Sequence, residues 1–169
     1  MPEPITNLAP ATAHKLRPHV LLLGLGNDIL SDDAVGLIVA KEVRSRLTAR
    51  RDIDVLESIE MGLSLLDLVV GYHDLVIVDA IQTGREPPGF VFEINEQDLK
   101  ALPGGSPHFL GVFETLALGR RLGMAVPDRV KILAVEVQDP HTVSTRMTPA
   151  LQRALPAIVE QVANAVLQR

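Results

Sequence analysis

The sequence contains no cysteine and no tryptophan, and only one tyrosine. The first absence excludes disulfides, zinc–thiolate sites and a cysteine nucleophile. The second, with an aromatic content of 3%, removes the large rings on which aromatic-rich binding surfaces depend. No apolar run approaches the roughly 18 residues that a bilayer span requires, so no membrane segment is expected. Positive charge is scarce too: 16 Lys and Arg against 21 Asp and Glu leave a formal net charge of −5, with no basic stripe. Counterion release from a phosphate backbone then has nothing to drive it, and nucleic acid is not an expected partner. The N-terminus, MPEPITNLAPATAHKLRPH, lacks a cationic start followed by an apolar block. It is not a secretory signal, and the cytoplasm is the expected compartment.

Several catalytic signatures are missing as well. The chain has no G-x-S-x-G elbow, no H-E-x-x-H helix and no G-x-x-x-x-G-K-[ST] loop. Gln82-Thr83-Gly84 lacks the Asp that an aspartic-protease loop would carry.

What is present is Val, Leu, Ile and Ala in a chain of 169 residues, 47% apolar and 22% charged. That length suits one domain with a full core. Pro2, Pro4, Pro10 and Pro18 mark residues 1–18 as a flexible lead-in, leaving 19–169 as a single α/β domain. His19–Gly26, Ile53–Ser58, Leu75–Ile81 and Val130–Val137 read as strands, mostly continuous apolar runs as in a sheet covered on both faces. Phe90–Ile94 reads as a shorter strand that returns antiparallel in a hairpin. Helical spacing appears over Ala34–Leu47, Gly62–Gly71, Gly111–Gly123 and Thr148–Arg169, with a loop-rich stretch from Asn95 to Phe109. Strands alternating with helices predict a three-layer α/β/α sandwich around a mostly parallel, twisted, five-stranded sheet.

The stretch LLLGLGNDILSDDAVG, Leu21–Gly36, begins as a nucleotide-binding turn would, with apolar residues running into Gly24-Leu25-Gly26. The third glycine of a dinucleotide fingerprint is replaced by Ile29, and two carboxylates, Asp32 and Asp33, follow where a pyrophosphate would sit. Asp32 is read as structural, satisfying backbone donors at the start of the first helix. Asp79 ends the apolar run Leu75–Asp79, at the carboxyl end of a strand, where open α/β sheets bind ligands. His108 lies in the loop segment GGSPHFLG, which follows the hairpin and is placed to fold over the same edge. Two carboxylates and an imidazole make an incomplete ligand set for a borderline divalent ion such as nickel or zinc, with positions left for water or substrate.

These residues resemble those of the [NiFe]-hydrogenase maturation proteases. The family's first loop reads G-[ILV]-G-N-x-[IL]-x-x-D-[DE]-x-x-G, matched from Gly24 to Gly36. Its second acid closes a strand ending [IV]-[IV]-x-D-A, matched by Val76-Ile77-Val78-Asp79-Ala80, and its histidine lies in an S-P-H segment, matched by Ser106-Pro107-His108. The resemblance implies a phosphorylase/hydrolase-like α/β fold and an endopeptidase that removes the C-terminal extension of the hydrogenase large subunit after nickel insertion. It carries Asp33, Asp79 and His108 over as the catalytic, metal-contacting residues. The nickel belongs to the precursor rather than residing in the enzyme, and a monomer is expected. Two departures stand out: Glu57-Ser58-Ile59-Glu60 where many relatives have Asp-Gly-Gly-Thr, and Asp33 where some have Glu. The rival readings are a non-catalytic nickel-sensing chaperone with the same ligands, and a nucleotide-binding α/β protein using Gly24 and Gly26.

Overall fold

A computed structural model describes residues 19–60, 62–95 and 107–168, and the expected lead-in of residues 1–18 lies outside them. Five strands form one sheet: β1 (Val20–Leu25), β2 (Ile53–Ser58), β3 (Asp74–Ile81), β4 (Val91–Ile94) and β5 (Arg129–Glu136). Their order is β2-β1-β3-β5-β4, with only β4 antiparallel. The continuous apolar runs have their expected cause. Every residue of β1 is buried, and in β3 only Ala80 is partly exposed, because helices cover both faces.

Helices α1 (Val35–Arg46) and α4 (Pro149–Leu167) cover one face. Val35, Val39 and Val43 of α1 pack with Ile158, Val159 and Val162 of α4 against Leu22, Val76, Val78 and Val135. Helices α2 (Ser64–Val69) and α3 (Pro107–Arg121) cover the other. There Leu65, Phe109, Val112 and Leu116 meet Leu21, Leu23, Leu75, Ile77 and Ile132. The sandwich thus has two apolar layers, each fed by alternate residues of the same strands.

The structure corrects two expectations. The fourth strand does not form a hairpin with the third, because β5 lies between them and pairs with both. The run Ile132–Val135 is buried throughout and requires a partner on each side, whereas β4 has four residues and suits an edge. The helix expected from Gly111 begins at Pro107 instead. A proline in the first turn has no N–H to waste, and its fixed φ already matches the helix.

Glycines set the closest approach in the fold. A Cβ at Gly24 would collide with the Gly36 carbonyl oxygen and with Ala40 Cβ. A Cβ at Gly36 would collide with the carbonyl oxygens of Leu25 and Val78. The first turn of α1 therefore rests on the backbones of β1 and β3. The close-packing glycine missing at Ile29 is supplied by Gly36, within the helix itself. Gly111, in α3, has no atom within 4 Å of its would-be Cβ. Gly36→Ala should accordingly destabilise the protein by about 2 kcal/mol or more through backbone overlap. Gly111→Ala should stabilise it by about 0.5–1 kcal/mol through helix propensity alone. Denaturant melts of the two variants check the contrast, and equal effects would refute the packing account.

Candidate active site

The chain leaves β1 through Gly26, whose φ of 151° is a conformation that L side chains rarely adopt. A Cβ there would strike the Asp33 carbonyl oxygen, so only glycine lets the short turn Asp32–Ala34 fold back against the strand end. Asp33 thereby sits at the carboxyl edge of the sheet, partly exposed, one residue ahead of the Ala34 that caps α1.

Asp79 arrives at the same edge from β3. Its side chain is in phase with Ile77 and Ile81, two residues away on either side, and so lies on the α2/α3 face, with only 3% of the residue exposed. The Ala80 N–H donates to Oδ1 at 2.8 Å, while Oδ2 has no hydrogen-bond partner among the described residues. Burial without compensation disfavours the anion and pushes the Asp79 carboxyl up to about 7. The Ala80 N–H pulls the other way, and the negative charge of Asp33 adds to the rise. The two carboxylates are therefore within electrostatic reach of each other.

His108 belongs to the first turn of α3, not to a loop. Its neighbour Phe109 is fully buried against the α2/α3 face, which brings the His108 backbone to the layer that Asp79 enters. The His108 side chain lies outside the described residues. Among those residues no group of three or more His, Cys, Asp or Glu is arranged to hold a metal ion.

Asp32 is structural, but not in the way the sequence suggests. Ser31 caps the turn Asp32–Ala34 without a side-chain hydrogen bond, and Asp32 is turned away from its own helix. Its carboxylate instead accepts from Gln138 N, Asp139 N, Thr148 N and Thr148 Oγ1, all on the segment joining β5 to α4. Glu136, which the sequence reading passed over, has the same character. Only 1% exposed, it accepts from Thr83 N at 2.9 Å, Thr83 Oγ1 at 2.5 Å and Gly84 N at 2.9 Å, fixing the turn that leaves β3. The one signal for it was an acid closing the apolar run Ile132–Glu136, as Asp79 closes its own.

The fold is an α/β/α sandwich that brings Asp33 and Asp79 to the carboxyl edge of its sheet, where open α/β sheets bind ligands. A family model described as hydrogenase maturation protease matches residues 37–165, and the chain belongs to that family. It is 29% identical over 156 residues to hydrogenase 2 maturation protease of Escherichia coli (strain K12), covering 87% of this chain and 94% of that protein. In fold it resembles the hydrogenase maturating endopeptidase HybD from E. coli, with a TM-score of 0.71, 24% identity and coverage of 89% and 93% of the two chains. A [NiFe] hydrogenase maturation protease HybD from Thermococcus kodakarensis matches with a TM-score of 0.64 at 23% identity, covering 88% and 99%. The protein is a peptide hydrolase of hydrogenase maturation. The family model begins just past Asp33 and includes Asp79 and His108.

The raised Asp79 carboxyl makes a stability prediction. An unfolded Asp titrates near 3.9, so between roughly pH 4 and 7 the folded state holds a proton that the unfolded state has released. Raising the pH through that window therefore costs stability, in the opposite sense to a salt-bridged acid. Asp79→Asn keeps the acceptor for Ala80 N–H and removes the buried charge. It should melt higher than the parent above pH 7, by on the order of a few kcal/mol, and the gap should shrink towards pH 4. A gap independent of pH would refute the uncompensated-charge account.

Proposed function

We propose that the enzyme removes a C-terminal extension from the large-subunit precursor of a [NiFe] hydrogenase once nickel is in place. Asp33, Asp79 and His108 contact that nickel as part of the substrate. The observation that carries the reading is Asp79 Oδ2, a buried carboxylate oxygen with no hydrogen-bond partner among the described residues. A buried acceptor of that kind is normally satisfied, and an approaching cation satisfies it while favouring the anion. The sequence motifs supply the oxygen, oxygen and nitrogen donors that suit a borderline divalent ion.

In this mechanism the precursor's nickel registers the peptide and can polarise a carbonyl or acidify a water. The chain's own groups do the rest. Asp79 is held through Oδ1 by the Ala80 N–H and keeps Oδ2 for the substrate. Asp33 stands at the more exposed rim, and one of the two carboxylates takes the proton of the attacking water. With no cysteine in the chain and no serine elbow, water is the nucleophile rather than a covalent intermediate.

Purified enzyme incubated with nickel-loaded and nickel-free precursor tests the proposal. Cleavage of the loaded form alone is expected. Binding without cleavage would favour the nickel-sensing chaperone, and neither result would return attention to a nucleotide. His108→Ala should lower cleavage by about 100-fold or more while leaving the melt near that of the parent. A ligating imidazole must be neutral, so parent activity should fall as the pH drops below roughly 6. Normal turnover by His108→Ala would remove that residue from the site.

A further inference from the structure

We propose that Asp32 is a positioning residue, stitching the loop that carries Asp33 to the segment between β5 and α4. The proposal rests on the role given to Asp33 above. Asp32 is fully buried, at 0% exposure, yet lies at the mouth of the sheet rather than in either apolar layer. Its Oδ2 accepts from Gln138 N at 3.1 Å, Asp139 N at 2.9 Å and Thr148 Oγ1 at 3.0 Å. Its Oδ1 accepts from Thr148 N at 2.7 Å, and Thr148 is the N-cap of α4. One side chain thus joins the end of β5, the loop beyond it and the head of α4.

The surrounding backbone repeats the pattern. Asp32 N–H donates to the Asp139 carbonyl at 3.0 Å, and Ser31 N–H to that of Thr142 at 3.0 Å. Ser144 N–H donates to the Ile29 carbonyl at 3.1 Å, Leu30 and Val143 form an antiparallel bridge, and Ser31 Oγ donates to the Arg146 carbonyl at 3.0 Å. Asp33 follows directly, with its own carbonyl set against Gly26. Its backbone is held from both sides, at the sheet edge where Asp33 lies within electrostatic reach of Asp79. Without the Asp32 carboxylate the loop keeps the Leu30–Val143 bridge and the Ser31 bonds, but the residues next to Asp33 lose their side-chain tie to Gln138, Asp139 and the head of α4.

The donor set calls for a carboxylate. Four donors face two oxygens, so an amide at this position turns its NH₂ group towards at least one of them. A residue serving only global stability would affect the melt, whereas a positioning residue affects turnover and is replaceable by any other tie between the two loops. The chain has no cysteine, so Leu30→Cys with Val143→Cys creates a single disulfide across the existing bridge.

The experiment compares the parent, Asp32→Asn, the cysteine pair alone, and the cysteine pair combined with Asp32→Asn. Readouts are thermal melts, kcat and KM on nickel-loaded precursor, and amide hydrogen exchange. Asp32→Asn should remain folded at the assay temperature, speed exchange at Asp139 and Thr148, and lower kcat by about 10- to 100-fold. KM should stay within about threefold of the parent. Oxidising the two thiols to the disulfide with an added oxidant should restore kcat to that of the oxidised cysteine pair alone, and reducing the disulfide should remove the rescue. A folded Asp32→Asn with unchanged kcat, or no rescue by the oxidised bridge, overturns the proposal. Should Asp32→Asn fail to fold, Thr148→Val removes one donor and keeps the acid; a smaller kcat loss with the same rescue is expected, and an unchanged kcat overturns it. If the parent fails to cleave loaded precursor, the proposed function falls instead. Exchange at Asp139 and Thr148 then still reads the stitch, and unchanged protection in Asp32→Asn would overturn it.

Discussion

The carboxyl edge of the sheet is arranged around one contact, the first turn of α1 lying on bare backbone. Gly24 and Gly36 remove the two Cβ atoms that would keep helix and strands apart, and the helix touches the carbonyls of Leu25 and Val78. That approach leaves the three-residue turn Asp32–Ala34 no place but the mouth of the sheet, between the ends of β1 and β3. A nucleotide-binding protein uses the same geometry to aim helix N–H groups at phosphate. Here Asp33 puts a negative charge at that helix start, which opposes an anionic ligand and attracts a cation. On the proposed function the backbone solution is shared, and one side chain reverses the sign of what it accepts.

The buried acids divide by what surrounds them. Asp74, at the amino end of β3, is gripped through both oxygens by Arg129, with Nη2 at 2.7 Å. Asp32 has four donors and Glu136 three. Asp79, at the other end of the strand that Asp74 begins, has one N–H and, among the described residues, an oxygen with none. Burying a carboxylate without partners is costly, and proteins hold such groups chiefly where function requires them. The contrast within one strand separates the acids that build the edge from the one available to act there.

Much of the fold was legible because its determinants are local. Continuous apolar runs such as Leu75–Val78 identify central strands, and Gly71 and Gly123 close two of the four helix patterns. The position of β5 was not legible, because its insertion between β3 and β4 depends on pairing across more than one element. The same limit hid the role of Asp32. Its sequence neighbourhood looks like a helix start, yet its donors lie more than 100 residues away. Asp33 and Asp79 were readable as candidates because each ends or follows a strand. That Asp79 lacks compensation while Glu136 does not is visible only in three dimensions. The early start of α3 escaped for a different reason, since Pro107 after two glycines carries the same letters as a loop.

The tied loop also gives meaning to the difference between Asp33 and the Glu found in some relatives. On a loose loop one methylene would be absorbed by backbone adjustment. Here the Asp33 backbone is confined by Gly26 on one side and by the Asp32 bonds on the other. A shorter side chain then draws any shared cation closer to the sheet edge and to Asp79, whose position in the ladder opposite Ala134 is equally fixed. On the proposed function, the rigidity that locates the two acids also sets how deeply the precursor's metal centre must enter before its peptide is in register.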